Sequence, residues 1–358
     1  MKRALLGLTL AMLFCGFLII SCGGGSDAAG PARNLGTKAT AFGDSITLGY
    51  NASADEYKYA NVIARKIGWT LKNMALSGTQ LADEIPVIYA ETVAADGNSF
   101  LLTGLNDMRN FGTDNGGLTF YQNALYAALA WLSVPDRDKL KGAGDNVVFK
   151  GIWEVSPFFN RTGRRSSQQG ATAEFAVSGT TIYIGSVSYY GGTGTFRVTM
   201  DGTEIGTYSC STNKMTVSQA AYAPFLIRLT GLPAGPHKVV ITVTSASGNV
   251  SFDWAAGVGG AAEAGPNVFV GNTLRMRPVG YKAAWPLWDK GSDEAVAAIN
   301  ARIRSVCDDL ARDGRNVFHV DACAAYDPMS ADISTMDEMH PSDQGMAKIA
   351  AAFLAVMH

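Results

Sequence analysis

The sequence predicts an α/β protein: a parallel sheet covered by helices on both faces, interrupted by an inserted antiparallel β-sandwich. Three observations lead there. Short apolar runs alternate with helix-period stretches over 37–144 and again over 266–358, the pattern of a parallel sheet with crossover helices. Between 145 and 265 the apolar period falls to two and helical signals are missing, as expected of stacked antiparallel strands. Glycine supplies 40 of the 358 residues, well above the typical ~7%, which fits a chain with many turns. Neither flank alone has enough strands for a covered sheet, so the two flanks are read as one domain split by the insert.

The chain begins with targeting rather than folding. Met1-Lys2-Arg3, an apolar run from Ala4 to Ile20 and Ser21-Cys22-Gly23 have the layout of a signal peptide over 1–22. Ile19-Ile20-Ser21-Cys22 resembles the lipobox of bacterial lipoproteins, which implies that Cys22 becomes the acylated first residue. Residues 23–36, rich in Gly and Ala, read as a flexible tether. The expectation is an exported protein held on the bacterial cell envelope by lipid, at the outer membrane or cell surface. A simple cleaved signal or a single anchoring helix would also export it. Cys210, Cys307 and Cys323 would then lie in a disulfide-permissive compartment. Cys307 and Cys323 could pair, although Cys307 also falls on the apolar face of its helix, where buried thiols are common.

Along the mature chain, Ala39 to Phe42 reads as the first strand, ending at Gly43. Tyr57, Ala60, Ile63, Ala64 and Ile67 recur at helical spacing. Leu71 to Ala75 is the second strand, and Phe100 to Thr103, stopped by Gly104, the third. Leu118, Tyr121, Leu125, Ala128, Leu129 and Leu132 then mark one face of a long helix that Pro135 ends. In the insert, Phe196, Val198 and Met200 alternate with polar residues up to the hairpin dipeptide Asp201-Gly202. Phe225, Ile227 and Leu229, then Val239, Ile241 and Val243, then Val250, Phe252 and Trp254 alternate likewise. After Pro266 come a strand at Val268 to Val270, a helix from Asp293 to Arg312 capped by Ser292, a strand from Val317 to Val320 and a last helix after Ser342.

Composition excludes several classes. With 29 Lys+Arg against 31 Asp+Glu and a net charge of -2, nothing favours nucleic acid as a partner. Sixteen Phe, 13 Tyr, 6 Trp and only 17% charged residues exclude disorder. No metal-ligand cluster or dinucleotide motif is present, so no metal and no cofactor are expected.

Chemistry gathers at the ends of the predicted strands, where open α/β sheets bind ligands. Ser45 follows the first strand in Gly43-Asp44-Ser45, which by itself is also an ordinary turn with a capping serine. A serine nucleophile needs a base, and the chain has four histidines. His358 is terminal, His237 lies in the insert and His319 sits inside an apolar strand. His340 remains, with Asp337 three residues upstream, close enough for one turn of chain to set the carboxylate against the ring. Gly78, after the second strand, offers a backbone N–H, and Asn106, after the third, offers an amide for a developing oxyanion. Each alone is a common turn residue.

Together these blocks resemble the SGNH hydrolases, also called GDSL esterases and lipases. Gly43-Asp44-Ser45, Gly78, Gly104-Leu105-Asn106-Asp107 and Asp337-Glu338-Met339-His340-Pro341 stand in the family's order, over 37–144 and 266–358. The resemblance implies a flavodoxin-like three-layer fold with Ser45 as nucleophile, His340 as base and Asp337 orienting it. The Ser45 and Gly78 N–H groups and the Asn106 amide would form the oxyanion hole, and Gly43, Asp44, Gly104 and Asp107 would support it. Ile46 stands where the name-giving motif has Leu. The insert resembles jelly-roll accessory modules of carbohydrate-active esterases, in Leu232-Pro233-Ala234-Gly235-Pro236-His237 and Phe252-Asp253-Trp254. Trp153, Phe158, Phe159, Tyr189, Tyr190 and Trp254 are aromatics available to stack on sugar rings or to fill the sandwich core.

The expected function is therefore a serine esterase acting on an acylated carbohydrate, above all an O-acetylated one, while anchored to a membrane through Cys22. A lipase- or thioesterase-like hydrolase of longer acyl chains, and a glycan-binding surface lipoprotein without catalysis, are the alternatives.

Overall fold

Strand and helix signals in the two flanks fold into one sheet. The computed structural model describes residues 35–159, 162–259, 265–282 and 288–357; Cys22, the signal segment and most of the tether lie outside them. From the first flank come β1 (Lys38–Gly43), α1 (Ser45–Leu48), α2 (Tyr59–Ile67), β2 (Thr70–Asn73), α3 (Leu81–Ala90), β3 (Asn98–Leu102), α4 (Leu105–Phe111) and α5 (Asn115–Ser133).

The antiparallel region follows. It comprises β4 (Leu140–Lys141), β5 (Val148–Lys150), β6 (Glu154–Val155), β7 (Arg164–Ser166), β8 (Thr172–Ser178), β9 (Thr181–Tyr190), β10 (Thr195–Met200), β11 (Thr203–Ser209), β12 (Ser211–Thr212), β13 (Tyr222–Leu229), β14 (Pro236–Val243), β15 (Val250–Phe252) and β16 (Trp254–Val258). The second flank adds β17 (Asn267–Gly271), α6 (Asp293–Arg312), β18 (Val317–Val320), α7 (Ala322–Ala325) and α8 (Asp343–Val356).

The parallel sheet has the order β18-β17-β3-β1-β2, which is the doubly wound 2-1-3-4-5 arrangement of flavodoxin-like folds. Helices α2 and α8 cover one face, and α3, α5 and α6 the other. The central strands β3 and β17 are buried along their whole length, which is why they read as continuous apolar runs. Ser292 caps α6 as the sequence predicts, accepting from the Ala295 N–H, and Ser342 caps α8, accepting from Gly345.

Antiparallel pairing begins at Leu140, ahead of the change in composition near 145, because β4 pairs with β16. Besides a small sheet of order β15-β7-β6, one sheet runs β11-β10-β14-β8-β5 and the other β12-β9-β16-β4, with β13 on β9. Between them Phe175, Phe196, Val198, Ile184, Ile227, Val239 and Ile241 form one core. The other side of the second sheet carries Tyr183, Val187, Trp254, Ala256 and Val258, which join the α/β core. Trp254 meets Trp131 of α5 edge to face at 5.4 Å. The second sheet is thus buried on both faces. The alternation of Val250, Phe252 and Trp254 is broken at Asp253, so two strands stand where one was expected. Cys210 and Cys307 are buried and Cys323 is half-buried; all three are free thiols, and Cys307 and Cys323 do not pair.

Candidate active site

The site grows from the end of β1. Gly43 takes φ +143°, and a Cβ there would lie 2.1 Å from the Leu102 carbonyl oxygen and 2.4 Å from Thr47 Oγ1. Only glycine lets the chain turn this tightly behind β3. Asp44 then caps α1, its Oδ1 accepting from the Ile46 N–H at 2.9 Å. Its carboxyl is fully buried; burial raises its pKa to about 7 against the pull of the Ile46 and Leu105 N–H groups. Ser45, the first residue of α1, is buried except for 5% of its surface.

Ser45 Oγ lies 2.7 Å from Nε2 of His340, although 295 residues separate the two. His340 Nδ1 lies 2.6 Å from Asp337 Oδ2. Asp337 Oδ1 accepts from the N–H groups of Met339 and His340, each at 3.0 Å, an Asx-type turn that Glu338 closes at φ +56°. This turn is the reason a carboxylate three residues upstream reaches the imidazole. Asp337 can only accept, so Nδ1 carries the proton and Nε2 is left to take one from Ser45. Burial lowers the His340 pKa; Asp337 works against the shift and Arg109 adds to it. Burial also acts to raise Asp337, but the His340 and Met339 N–H groups and the His340 ring hold its carboxyl below the ordinary range.

Two loops bring the remaining predicted residues. Asn73 pins the loop after β2: its amide donates to the Thr47 carbonyl at 2.9 Å and its Oδ1 accepts from the Ala75 N–H at 3.0 Å. Gly78 sits in this loop at φ +76°, facing the Trp288 ring. After β3, Gly104 leads into α4, whose first turn carries Asn106 and Asp107. Asn106 Nδ2 donates to the Thr79 carbonyl at 2.8 Å, which brings it to the Gly78 loop. Asp107 Oδ2 accepts from the Leu81 N–H at 3.0 Å and ties α4 to the start of α3; burial pushes its pKa to about 8.

Four residues around these groups escaped the sequence reading. Asn51 donates to Asp337, Tyr50 packs its ring on His340 with centroids 4.7 Å apart, and Arg109 stacks over Trp288 at 4.7 Å. Only Asn51 and Tyr50 had a signal, since they follow the serine turn directly.

The chain is similar in structure to SGNH/GDSL hydrolases. A member of the lipolytic G-D-S-L family from Veillonella parvula is 12% identical at a TM-score of 0.42, over 90% of this chain and 98% of its own. A two-domain esterase active on acetylated mannans, co-crystallised with mannopentaose, is 12% identical at a TM-score of 0.36, over 63% of this chain and 92% of its own. A family 35 carbohydrate-binding module from Clostridium thermocellum is 14% identical at a TM-score of 0.24, over 33% of this chain and 95% of its own. No family model matches the sequence, and no curated protein does. Likenesses this distant carry no argument about function, which rests on the residues themselves.

The insert approaches the same end of the sheet. Its loop after β12 is held on the cap of α3: the Val217 N–H donates to Gln80 Oε1 at 2.7 Å, and the Thr216 and Ser218 hydroxyls donate to Asp83 Oδ1 at 2.9 and 2.6 Å. A groove of ≈ 700 Å³ runs between this loop and α4, lined by Asn110, Phe111, Tyr190, Asn213, Lys214 and Lys290. Asn110 is one helical turn beyond Asn106. Of the aromatics named from the sequence, Trp254 and Phe159 are buried, while Tyr190 is 50% exposed.

Proposed function

We propose that the protein is a serine esterase that removes acyl groups, above all acetyl, from an extracellular carbohydrate. The observation that carries this reading is the continuous chain from Ser45 Oγ through His340 to Asp337 at 2.7 and 2.6 Å, set at the carboxyl end of β1 beside the point where the strand order reverses. In the reaction, His340 Nε2 takes the Ser45 proton as Oγ attacks the ester carbonyl carbon. The oxyanion forms opposite the Ser45 and Gly78 N–H groups and the Asn106 amide. His340 then gives its proton to the departing alcohol oxygen, leaving an acyl-serine. Water, deprotonated by His340, releases the acid and restores the hydroxyl.

Support for a carbohydrate substrate comes from the groove. The groove sets the exposed Tyr190 face, Asn213 and Lys214 of the insert opposite Asn110 and Lys290 of the flanks, a mixture of stacking surface and hydrogen-bonding groups that suits a sugar chain. Export and lipid attachment at Cys22 belong to the same proposal, resting on the sequence of residues 1–36.

The test is a panel of p-nitrophenyl esters of increasing chain length beside acetylated polysaccharides, with the parent and Ser45→Ala. Acetate esters should turn over fastest and the folded Ser45→Ala protein should be inactive; full residual activity in that variant would remove Ser45 from the mechanism. Cys22→Ser should leave the membrane fraction, and a variant that stays there as the parent does would end the lipoprotein reading.

A further inference from the structure

Glu84 lies outside every motif recognised in the sequence, yet it is 2% exposed and sits between the two loops that carry Gly78 and Asn106. Its Oε1 accepts from the Thr103 hydroxyl at 3.0 Å. Thr103 immediately precedes Gly104, and its own carbonyl accepts from Thr273. The same Oε1 is 3.2 Å from Thr79 Oγ1, and Thr79 is both the neighbour of Gly78 and the residue whose carbonyl receives the Asn106 amide. One carboxyl oxygen therefore spans from the loop after β2 to the loop after β3.

Counting protons favours the neutral form of the acid. Thr79 Oγ1 lies 2.7 Å from the Leu76 carbonyl, an oxygen that can only accept, so the single hydroxyl proton is committed there. The longer contact between Thr79 Oγ1 and Glu84 Oε1, at 3.2 Å, competes for that one proton, and a proton on Glu84 satisfies both contacts at once. Oε2 of Glu84 has no hydrogen-bond partner among the described residues, and a charge left so placed in the interior would be costly. The groups that face this region agree. Asp44 before α1 and Asp107 on α4 are carboxyls, and Tyr121 on α5 and Tyr59 on α2 are phenols. Arg109 on α4 is the cation nearby, and it acts on Asp44. Burial, followed by Asp44 and Asp107, raises Glu84 well above the usual carboxylate range against the smaller pull of the Thr103 and Thr79 hydroxyls.

We propose that Glu84 is a positioning residue for the oxyanion donors: a neutral carboxylic acid that donates to Thr79, accepts from Thr103 and so fixes the spacing of the Gly78 and Asn106 loops. This rests on the esterase reading for its consequence in catalysis but not for the strut itself. Glutamine offers the same donor and acceptor without a charge, whereas alanine offers neither.

The test compares Glu84→Gln, Glu84→Ala and the parent as full-length proteins, by hydrogen exchange and by kinetics on p-nitrophenyl acetate. Glu84→Ala should speed amide exchange over 76–82 and 103–107 while the sandwich strands stay protected. It should lower kcat by a factor of about 10 to 100 with KM within about threefold, the mark of a loss felt in the transition state. Glu84→Gln should restore both readouts to near the parent. If Glu84→Ala does not fold, Thr79→Val and Thr103→Val each remove one contact at nearly constant shape and should give the same exchange pattern. Unchanged exchange in both segments would overturn the strut, and a glutamine variant as impaired as alanine would overturn the neutral acid. A parent inactive on every ester would end the esterase reading, while the exchange data would still decide the role of Glu84.

Discussion

Asn51 donates its side-chain amide to Asp337 at 2.9 Å, and the oxygen that receives it is the one facing the His340 ring. The carboxylate is thereby held from both sides, by its own turn and by a residue 286 positions away. Asn51 adopts φ +66°, a conformation that asparagine tolerates better than most residues. Replacement by glycine keeps that backbone and deletes only the amide. Asn51→Gly should therefore lower kcat by about tenfold with little change in fold, as measured by steady-state hydrolysis and circular dichroism. Unchanged kcat would mean that the Asx turn alone orients Asp337.

Acidity should report on the same histidine. The folded pKa of His340 is below 6.5 because burial outweighs the attraction of Asp337. The base is thus neutral at pH 7, and kcat/KM should hold a plateau above pH 6.5 and fall only as pH drops through the lowered value. Asp337→Asn removes the charge that favours the imidazolium, so its acidic limb should move further down. The rate should also fall by a factor on the order of 10³ to 10⁴, since the amide permits the wrong tautomer. A limb that moves upward in this variant would contradict the assigned contact.

Asn106 has two neighbours to serve. Its amide donates to the Thr79 carbonyl, which leaves the second N–H of the same nitrogen for an oxyanion. Asn106→Ala should cost a factor of about 10² to 10³ in kcat with KM nearly unchanged. A raised KM alone, in the same ester assay, would make Asn106 a ground-state binding residue.

How much of this was legible depended on where the determining contacts lie. The serine turn, the Asp337 to His340 spacing and the caps Ser292 and Ser342 are local, set by a few adjacent residues, and the sequence displays them. Ser45 and His340 could be paired only by elimination among four histidines, because their meeting is made by the sheet order. Helices α3 and α4 carry no clear signal in the sequence. Helix α3 is short, contains Pro86 and is apolar over much of its length, so its periodicity is weak; α4 begins inside the very Gly-Leu-Asn-Asp block that reads as a turn. Arg109 and Asn51 bond to residues remote in sequence, and Glu84 joins Thr79 to Thr103 across two loops; no spacing rule announces such partners. The second sheet of the insert misled in another way. Burial on both faces weakens the alternation in β9 and β16, so β9 gives no strand signal, Trp254 reads only as the end of an alternating run, and nothing hints that the insert packs on α5.

A pH effect on stability should come from the insert. His237 faces Asp201 Oδ2 through Nδ1 at 2.7 Å and the Pro233 carbonyl through Nε2 at 2.8 Å. Both partners accept, so both ring nitrogens carry protons and the imidazolium is the bound form. The bond to Asp201, and then the Pro233 carbonyl, raise the His237 pKa above 6.5, while His237 and the Lys238 N–H lower that of Asp201. Stabilisation from the raised His237 is complete below 6.5 and is lost as pH rises through the folded value; that from Asp201 is present above 3.8 and is lost as pH falls through its lowered value. The Tm difference between the parent and His237→Gln should accordingly be largest near pH 5 to 6 and shrink above neutrality. A difference that grows with pH would show a neutral ring.

Asp313, after α6, receives Arg228 of β13 in a two-pronged pair, at 2.5 Å to Oδ2 and 2.7 Å to Oδ1, and also the Tyr183 hydroxyl of β9 at 2.7 Å. Its side chain is 4% exposed. This carboxylate joins the insert to the parallel-sheet part, as does the contact of Trp254 with Trp131. Excising the insert would uncover Trp131 and Tyr89, so a deletion reports on solubility as much as on substrate. A point change is cleaner. Asp313→Ala takes both prongs from a partly buried guanidinium, which keeps Asp309, and leaves a buried phenol without its acceptor, at a cost of about 3 kcal/mol. Because the two parts share one core, calorimetry should show a single unfolding transition in both proteins, lowered by several degrees in the variant. Hydrolysis of p-nitrophenyl acetate per folded molecule should stay within about twofold, since the pair lies away from Ser45 and His340 and additivity holds for distant sites. Two separate transitions, with only one displaced, would mean that the sandwich folds as an independent module and that its deletion is the better experiment after all.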